Sequence, residues 1–296
     1  MEKNIDSKLS KRMLAVTDMV SRFRQQDKVF RVADIGCDHA FVSIYLVQHG
    51  IADKVIAMDV NPGPLEAAKK NIERYLLTDS GSGNIIHKSG VMHDESVGEM
   101  TDEAIDETIE VRLSDGFAKL NKDETDAAIV AGMGGKLEIS IIDAADVFVP
   151  GYRLILSPQS DVPEVRLYLL EHGFKLIDED MICEDGKYYN IICAEFVGTS
   201  SLSADDDKAD VLNDTKSEDD YGRDIAPHEK QILIKYGENL IRKKDSVFKE
   251  YLEKRKRSLG MIYDNLAEPC SQLVVTRREE IKKEMDEIEI ILGKLL

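Results

Sequence analysis

Between Val29 and Val197 short apolar runs alternate with helical patterns, and this alternation constrains the fold more than any other feature of the 296 residues. FRVADIG, KVIAMDV, IEVRLSDG, DAAIVAGMGG and RLILSPQ read as strands, with helix-spaced segments between them. Such a series predicts an α/β fold built on a doubly wound sheet. FKLIDEDMI and YYNIICAEF are separated only by Glu184-Asp185-Gly186-Lys187, a turn that leaves no room for a crossover helix. The last two strands are therefore expected to run antiparallel.

The flanking segments have a different character. Residues 1–28 read as a helix, with Leu9, Met13, Val16 and Val20 on one face and Lys8, Lys11, Arg12, Arg22 and Arg24 elsewhere. A Gly/Ser-rich and acidic stretch near 78–110 is longer than an ordinary helix-to-strand connection and reads as an insertion. Residues 198–226 carry few large apolar side chains and read as an acidic linker. Beyond Pro227 the pattern is helical, first through Ile232, Tyr236, Leu240, Phe248, Leu252 and Leu259, then through Ile281, Met285, Ile288, Leu292 and Leu295. A break near Pro269 divides two long helices, predicting an antiparallel hairpin with one apolar seam. Three units result: a sheet domain over 1–197, a linker over 198–226 and a helical domain over 227–296.

The formal charge of −18 argues against a nucleic-acid partner until its distribution is considered. Met92–Glu110 contributes −8 and Gly198–Ala226 contributes −6, leaving only −4 for the rest of the chain. Glu229–Arg257, by contrast, holds ten Lys/Arg against five Asp/Glu. No apolar run approaches the roughly 20 residues of a membrane span, and the opening MEKNIDSKLSKRMLAV lacks the layout of a secretory leader, so a cytoplasmic protein is expected. Cys37, Cys183, Cys193 and Cys270 are too few and too scattered for a disulfide framework or a zinc site, so reduced thiols and no metal are expected.

The chemistry is expected at the strand ends. The first strand runs through Asp34-Ile35-Gly36-Cys37-Asp38-His39-Ala40 into a helix, and the second ends at Asp59, 23 residues after Gly36. In a doubly wound sheet these loops face one another at the carboxyl edge, where an acid such as Asp59 can accept hydrogen bonds from the two hydroxyls of a ribose. A dinucleotide fingerprint would place a second glycine where Asp38 stands, because a pyrophosphate must lie on bare backbone. Asp34 and Asp38 instead favour a cation, and S-adenosylmethionine is a nucleoside with a positive sulfonium and no phosphate. Ser114-Asp115-Gly116 follows the third strand and Ala131-Gly132-Met133-Gly134-Gly135 the fourth, where so many glycines suit close approach of a planar base to the main chain.

Taken together, ADIGCDHA, AMDVNPGPLEAAKKNI, RLSDGF, IVAGMGGKL and LILSPQS, followed by EDGKYYNIICAE, resemble the bacterial tRNA adenine-N1 methyltransferases that act on adenosine 22. The similarity runs through residues 7–77, 109–197 and the tail near YGENLIRKKDSVFKEYL. It implies a class I, Rossmann-like methyltransferase domain using S-adenosylmethionine, tRNA as substrate, and a coiled-coil-like C-terminal helical domain that helps hold the tRNA. It further implies cofactor roles for Asp34, Gly36, Asp38 and His39, a ribose contact at Asp59, and adenine contacts at Asp115 and Gly116. Ala131 to Gly135 would border the methyl donor and the incoming base, with Gly132, Met133, Gly134 and Gly135 as a positioning loop and no general base assigned. Arg12, Arg242, Lys243, Lys244, Lys249, Lys254 and Arg255 are the expected tRNA contacts. The chain departs from the family pattern in its two acidic segments and in Ser157-Pro158-Gln159-Ser160, a variant of a Gln-Pro-Asn-type loop. A small-molecule methyltransferase and a catalytically silent RNA-binding protein are the competing readings.

Overall fold

In the computed structural model the described residues are 5–25, 27–76, 108–198, 227–266 and 271–295. The chain order is α1 (Lys11–Ser21), β1 (Arg31–Ile35), α2 (Phe41–Gln48), β2 (Lys54–Asp59), α3 (Pro62–Leu76), β3 (Ile109–Leu113) and β4 (Ala127–Ala131), followed by α4 (Gly135–Asp143), β5 (Arg153–Ser157), α5 (Val162–Glu171), β6 (Phe174–Glu184) and β7 (Lys187–Phe196). Four C-terminal helices follow: α6 (Pro227–Tyr236), α7 (Glu238–Lys243), α8 (Ser246–Asn265) and α9 (Gln272–Leu295). Most of the acidic insertion and nearly all of the linker lie outside the described residues, as does the break near Pro269.

The seven strands form one sheet in the order β3-β2-β1-β4-β5-β7-β6. The first five in this order are parallel, whereas β7 pairs antiparallel with both β5 and β6, as the short turn at 184–187 requires. The chain leaves β1 for β2 on one side and returns to β4 on the other, so the strand order reverses between β1 and β4. Such a reversal opens a crevice at the carboxyl ends of the strands.

Alternation along each strand sends side chains to both faces. Val32, Val55, Ala57, Ile129 and Ile155 pack with Val16, Val20, Ile44 and Leu46 on one side, beneath α1, α2 and α3. Ala33, Ile35, Met58, Val130, Leu154 and Leu156 pack with Ile142, Val165 and Leu169 on the other, beneath α4 and α5. A separate cluster joins the C-terminal helices through Ile232, Leu240, Phe248, Leu252, Ile281 and Ile288, and takes Met181 from β6. Among the described residues no helix is long and apolar enough to cross a membrane.

Two expected helices differ from their sequence reading. The N-terminal one occupies only 11–21: Ser10 caps it by accepting from the Met13 N–H at 3.3 Å, and Arg24 is drawn out of it to Asp53 and the Ile51 carbonyl. The first arm of the expected hairpin is three helices. Gly237, at φ +94°, separates α6 from α7, and Lys244, at φ +54°, separates α7 from α8, where Asp245 starts a new cap by accepting from the Phe248 N–H. The seam itself is present, since α8 packs along α9.

Candidate active site

β1 delivers Asp34 to the floor of a cleft of about 610 Å³, and β2, β3 and β4 bring their own ends to its walls. Gly36 turns the chain at φ +74°, and the Gly36 and Cys37 amides both donate to the Met58 carbonyl, at 2.8 and 2.9 Å. This ties the loop to the end of β2. Asp38 and Ala40 also have positive φ, at +49° and +57°, an uncommon backbone for residues with a Cβ. Asp38 and His39 are both exposed on the cleft, with His39 Nε2 3.7 Å from the Asp38 carboxylate. The N-cap position of α2 is Ala40, without a side-chain cap, so His39 does not serve as the helix cap.

Asp34 is 4% exposed and accepts a hydrogen bond from Ser43 Oγ at 2.6 Å. Burial lifts its carboxyl to about 6, with the neighbouring Asp59 charge adding to the effect and Ser43 opposing it. Burial likewise pushes the Cys37 thiol up, so this cysteine is not a ready nucleophile. Asp59 stands half-buried at the end of β2, where one carboxylate oxygen accepts from the Asn61 N–H at 2.8 Å and the other has no hydrogen-bond partner among the described residues. Ser114, Asp115 and Gly116 close the wall after β3, with Ser114 Oγ donating to the Gly116 carbonyl.

Beyond β4, Ala131, Gly132 and Met133 line the cleft, and the Gln159 side-chain amide steadies this loop by donating to the Gly132 carbonyl at 2.7 Å. Gly134 and Gly135 face the other way: a Cβ on Gly135 would stand 2.4 Å from the Ser160 carbonyl oxygen. The five-residue loop thus divides its work, its first half bordering the cleft and its second half seating α4 against the segment after β5. The opposite rim comes from the N-terminal segment, which supplies Lys8, Leu9, Arg12 and Met13. Sequence reasoning found Arg12 but not this rim, because nothing in a segment preceding β1 announces that it crosses the strand ends. Leu137 and Ile141 were also missed, although their spacing of four on α4 places them on one face toward the cleft.

The six C-terminal basic residues lie away from this cleft. Lys243 pairs with Asp178 and Asp180 on β6, Arg255 with Glu284 on α9, and Arg242 donates to Asn239. Lys254 lies over the Tyr188 ring, its Nζ 5.1 Å from the centroid. Lys244 and Lys249 have no side-chain partner among the described residues.

A family model described as a methyltransferase domain matches residues 9–92 and 88–192. The chain belongs to this methyltransferase family. A Bacillus subtilis protein named tRNA (adenine(22)-N(1))-methyltransferase is 33% identical over 189 residues, which cover 64% of this chain and 65% of that protein. The match thus spans just under two thirds of the curated relative. The solved structure of the B. subtilis m1A22 tRNA methyltransferase TrmK superposes with a TM-score of 0.65 at 23% identity, covering 96% of this chain and 98% of its own. That of Mycoplasma capricolum TrmK with S-adenosyl-homocysteine superposes with a TM-score of 0.63 at 21% identity, covering 97% and 99%. These likenesses show a shared fold that extends over the C-terminal helices as well as the sheet.

Proposed function

We propose that this protein transfers a methyl group from S-adenosylmethionine to N1 of adenine 22 in tRNA, working in the cytoplasm. The observation that carries the reading is the composition of the cleft: Asp34, Asp38, Asp59 and Asp115 converge on it, and an acidic side chain at positive φ occupies the place where a pyrophosphate would need bare backbone. A cleft of about 610 Å³ lies within the usual range for a ligand of nucleoside size. The donor set fits S-adenosylmethionine, since carboxylates stabilise its positive centres and a strand-end acid suits its ribose. Asp59 would hold the ribose hydroxyls, Asp115 and Gly116 would meet the adenine, and Asp34 with the Gly36–His39 loop would face the charged arm. When bound, the cofactor supplies an electrophilic methyl group.

The chain's own task is then positional. Adenine N1 carries an in-plane lone pair, so no proton has to be removed before it attacks and no general base is required. Orientation of the nucleophile by Gly132, Met133 and the facing Arg12 can account for a rate effect on the order of 7–11 kcal/mol in favourable cases. N1 lies on the pairing edge, so the nucleotide has to leave any stack or pair to enter. Lys244 and Lys249 are free to neutralise tRNA phosphates, whereas Lys243 and Arg255 hold the helical unit together. The target position is supported by the named B. subtilis relative.

The test is transfer of labelled methyl to unmodified tRNA, followed by mapping of the modified base. Label at N1 of adenine 22 is expected. Label on a small molecule alone favours a small-molecule methyltransferase, and cofactor binding without label on any RNA favours a silent RNA-binding protein.

A further inference from the structure

Three buried polar groups beside the Gly132–Gly135 loop have no hydrogen-bond partner among the described residues: Arg12 Nη1, both carboxyl oxygens of Glu138, and Ser157 Oγ. The backbone holds them around one place. The Gly132 amide donates to the Ser157 carbonyl, the Glu138 amide donates to the Gly134 carbonyl, and Arg12 Nη2 stands 3.7 Å from where a Cβ on Gly132 would be. Glu138 is fully buried; burial lifts its carboxyl to about 9, with the Arg12 charge opposing, so it stands as a neutral acid, and the two side chains make no hydrogen bond. The Arg12 guanidinium carbon lies over the Tyr189 ring, 5.0 Å from its centroid, a contact that holds the group while leaving Nη1 without a hydrogen bond among the described residues.

Buried polar groups are almost always paired, because each unmet one costs free energy. A neutral carboxyl, whose carbonyl oxygen accepts, and a guanidinium N–H within reach of the same loop, neither using the other, can complement a ligand edge that presents a donor beside an acceptor. Adenine has two such edges. Its pairing edge offers the N6 amine beside N1, and its Hoogsteen edge offers the same amine beside N7. N1 is the reacting atom and has to be left free, so only the Hoogsteen edge remains.

Resting on the methyltransferase reading above, we propose that Glu138 and Arg12 form the subsite that reads the Hoogsteen edge of the target adenine. Glu138 accepts from the N6 amine and Arg12 donates to N7, which leaves N1 exposed. Met133, whose tip rests against Gly36, is unbranched and able to swing aside as the base enters. Glu138 is here a positioning residue, not a proton carrier.

The experiment uses full-length protein and tRNA assembled by ligation with one altered nucleotide at the target. Purine riboside removes the amine but keeps N1 and N7; 7-deazaadenosine removes N7 but keeps N1 and the amine. Wild type is expected to lose about tenfold or more in kcat/KM on each. Glu138→Leu should abolish the further penalty for the missing amine, and Arg12→Ala the further penalty for the missing N7. Intrinsic differences in N1 reactivity cancel when the ratios are compared between variant and wild type. Glu138→Gln, which keeps an acceptor, should retain most of the amine penalty and stands in if the leucine variant does not fold, in which case loss of that penalty in the glutamine variant overturns the proposal. Survival of either penalty in its own leucine or alanine variant also overturns it. Failure of wild type to methylate any adenosine-bearing tRNA is a different result and overturns the methyltransferase reading itself.

Discussion

Asp34 sets how the cleft responds to pH. Its folded value of about 6 stands above the ordinary carboxylate value, so the folded chain binds this proton more tightly than the unfolded chain does. The stabilising contribution is complete below the ordinary value of about 4 and is lost as pH rises through about 6. Asp34→Asn removes the titration while keeping an acceptor for Ser43. It should therefore gain stability relative to wild type between pH 4 and pH 7, by on the order of 2–3 kcal/mol, as read by chemical denaturation at both ends of that window. A constant difference between the two proteins would sink the assignment. The basic residues make a second contrast: Lys244→Ala and Lys249→Ala should each weaken tRNA binding and lower the salt slope by about one, whereas Lys243→Ala should lower the melting temperature by breaking its ties to Asp178 and Asp180. Gel shifts across a salt series, set beside thermal melts, separate the two classes. The cleft acids were legible in the sequence because an acid at the end of an apolar run has few other places to stand. Glu138 was not, since a glutamate in the first turn of a helix reads as an exposed partner for the helix dipole, and nothing in the local spacing marks it as buried.

Among the elements, the strands were readable because each is a short apolar run closed by turn residues; β1 to β5 lie within the runs that announced them, while β6 and β7 reach a little further, to Glu184 and Lys187 at their shared turn. The helix breaks at Gly237 and Lys244 were not, because the apolar spacing continues across them and only the backbone angle changes. Glycines in the two cleft loops serve distinct elements, and this is testable. A Cβ on Gly36 would meet the Met133 methyl at 2.3 Å, but that atom ends a flexible side chain and can withdraw. The remaining cost is the left-handed backbone, about 1–2 kcal/mol. At Gly135 the obstruction is the Ser160 carbonyl at 2.4 Å and the Val165 side chain at 2.9 Å, on a backbone and a helix that cannot withdraw. Gly135→Ala should therefore lower the melting temperature more than Gly36→Ala, while Gly36→Ala should weaken S-adenosylmethionine binding more, as measured by calorimetry. The reverse order in both readouts would mean that the loops have been assigned the wrong tasks.

Across the whole molecule, the helical unit is joined to the sheet by a charge that sequence patterning does not reveal. Arg166 on α5 and Glu179 on β6 are 1% and 0% exposed and bond at 2.6 Å. Arg166 also donates to the Ile234 and Lys235 carbonyls at the end of α6, where the helix dipole favours a cation, and to Asn190 on β7. The break after α6 rests on the same pair: a Cβ on Gly237 would stand 2.9 Å from Arg166 Nη2 and 3.0 Å from a Glu179 oxygen. The C-terminal helices are thus part of the sheet's packing, and cutting them away would uncover both Met181 and this ion pair. A point substitution is the cleaner probe. Arg166→Met strands a buried carboxylate and should cost about 3–5 kcal/mol, whereas Arg166→Met with Glu179→Leu removes both charges and should recover much of that loss. If the joint also orients the helices proposed to hold tRNA, the double variant should regain stability without regaining tRNA affinity, because the bonds to the end of α6 are not restored. Denaturation curves for the two variants, set beside their tRNA and S-adenosylmethionine affinities, resolve these effects. Equal stability of the single and double variants would show that the charges matter less than the packing around them, and full tRNA affinity in both would show that the joint holds the unit without aiming it.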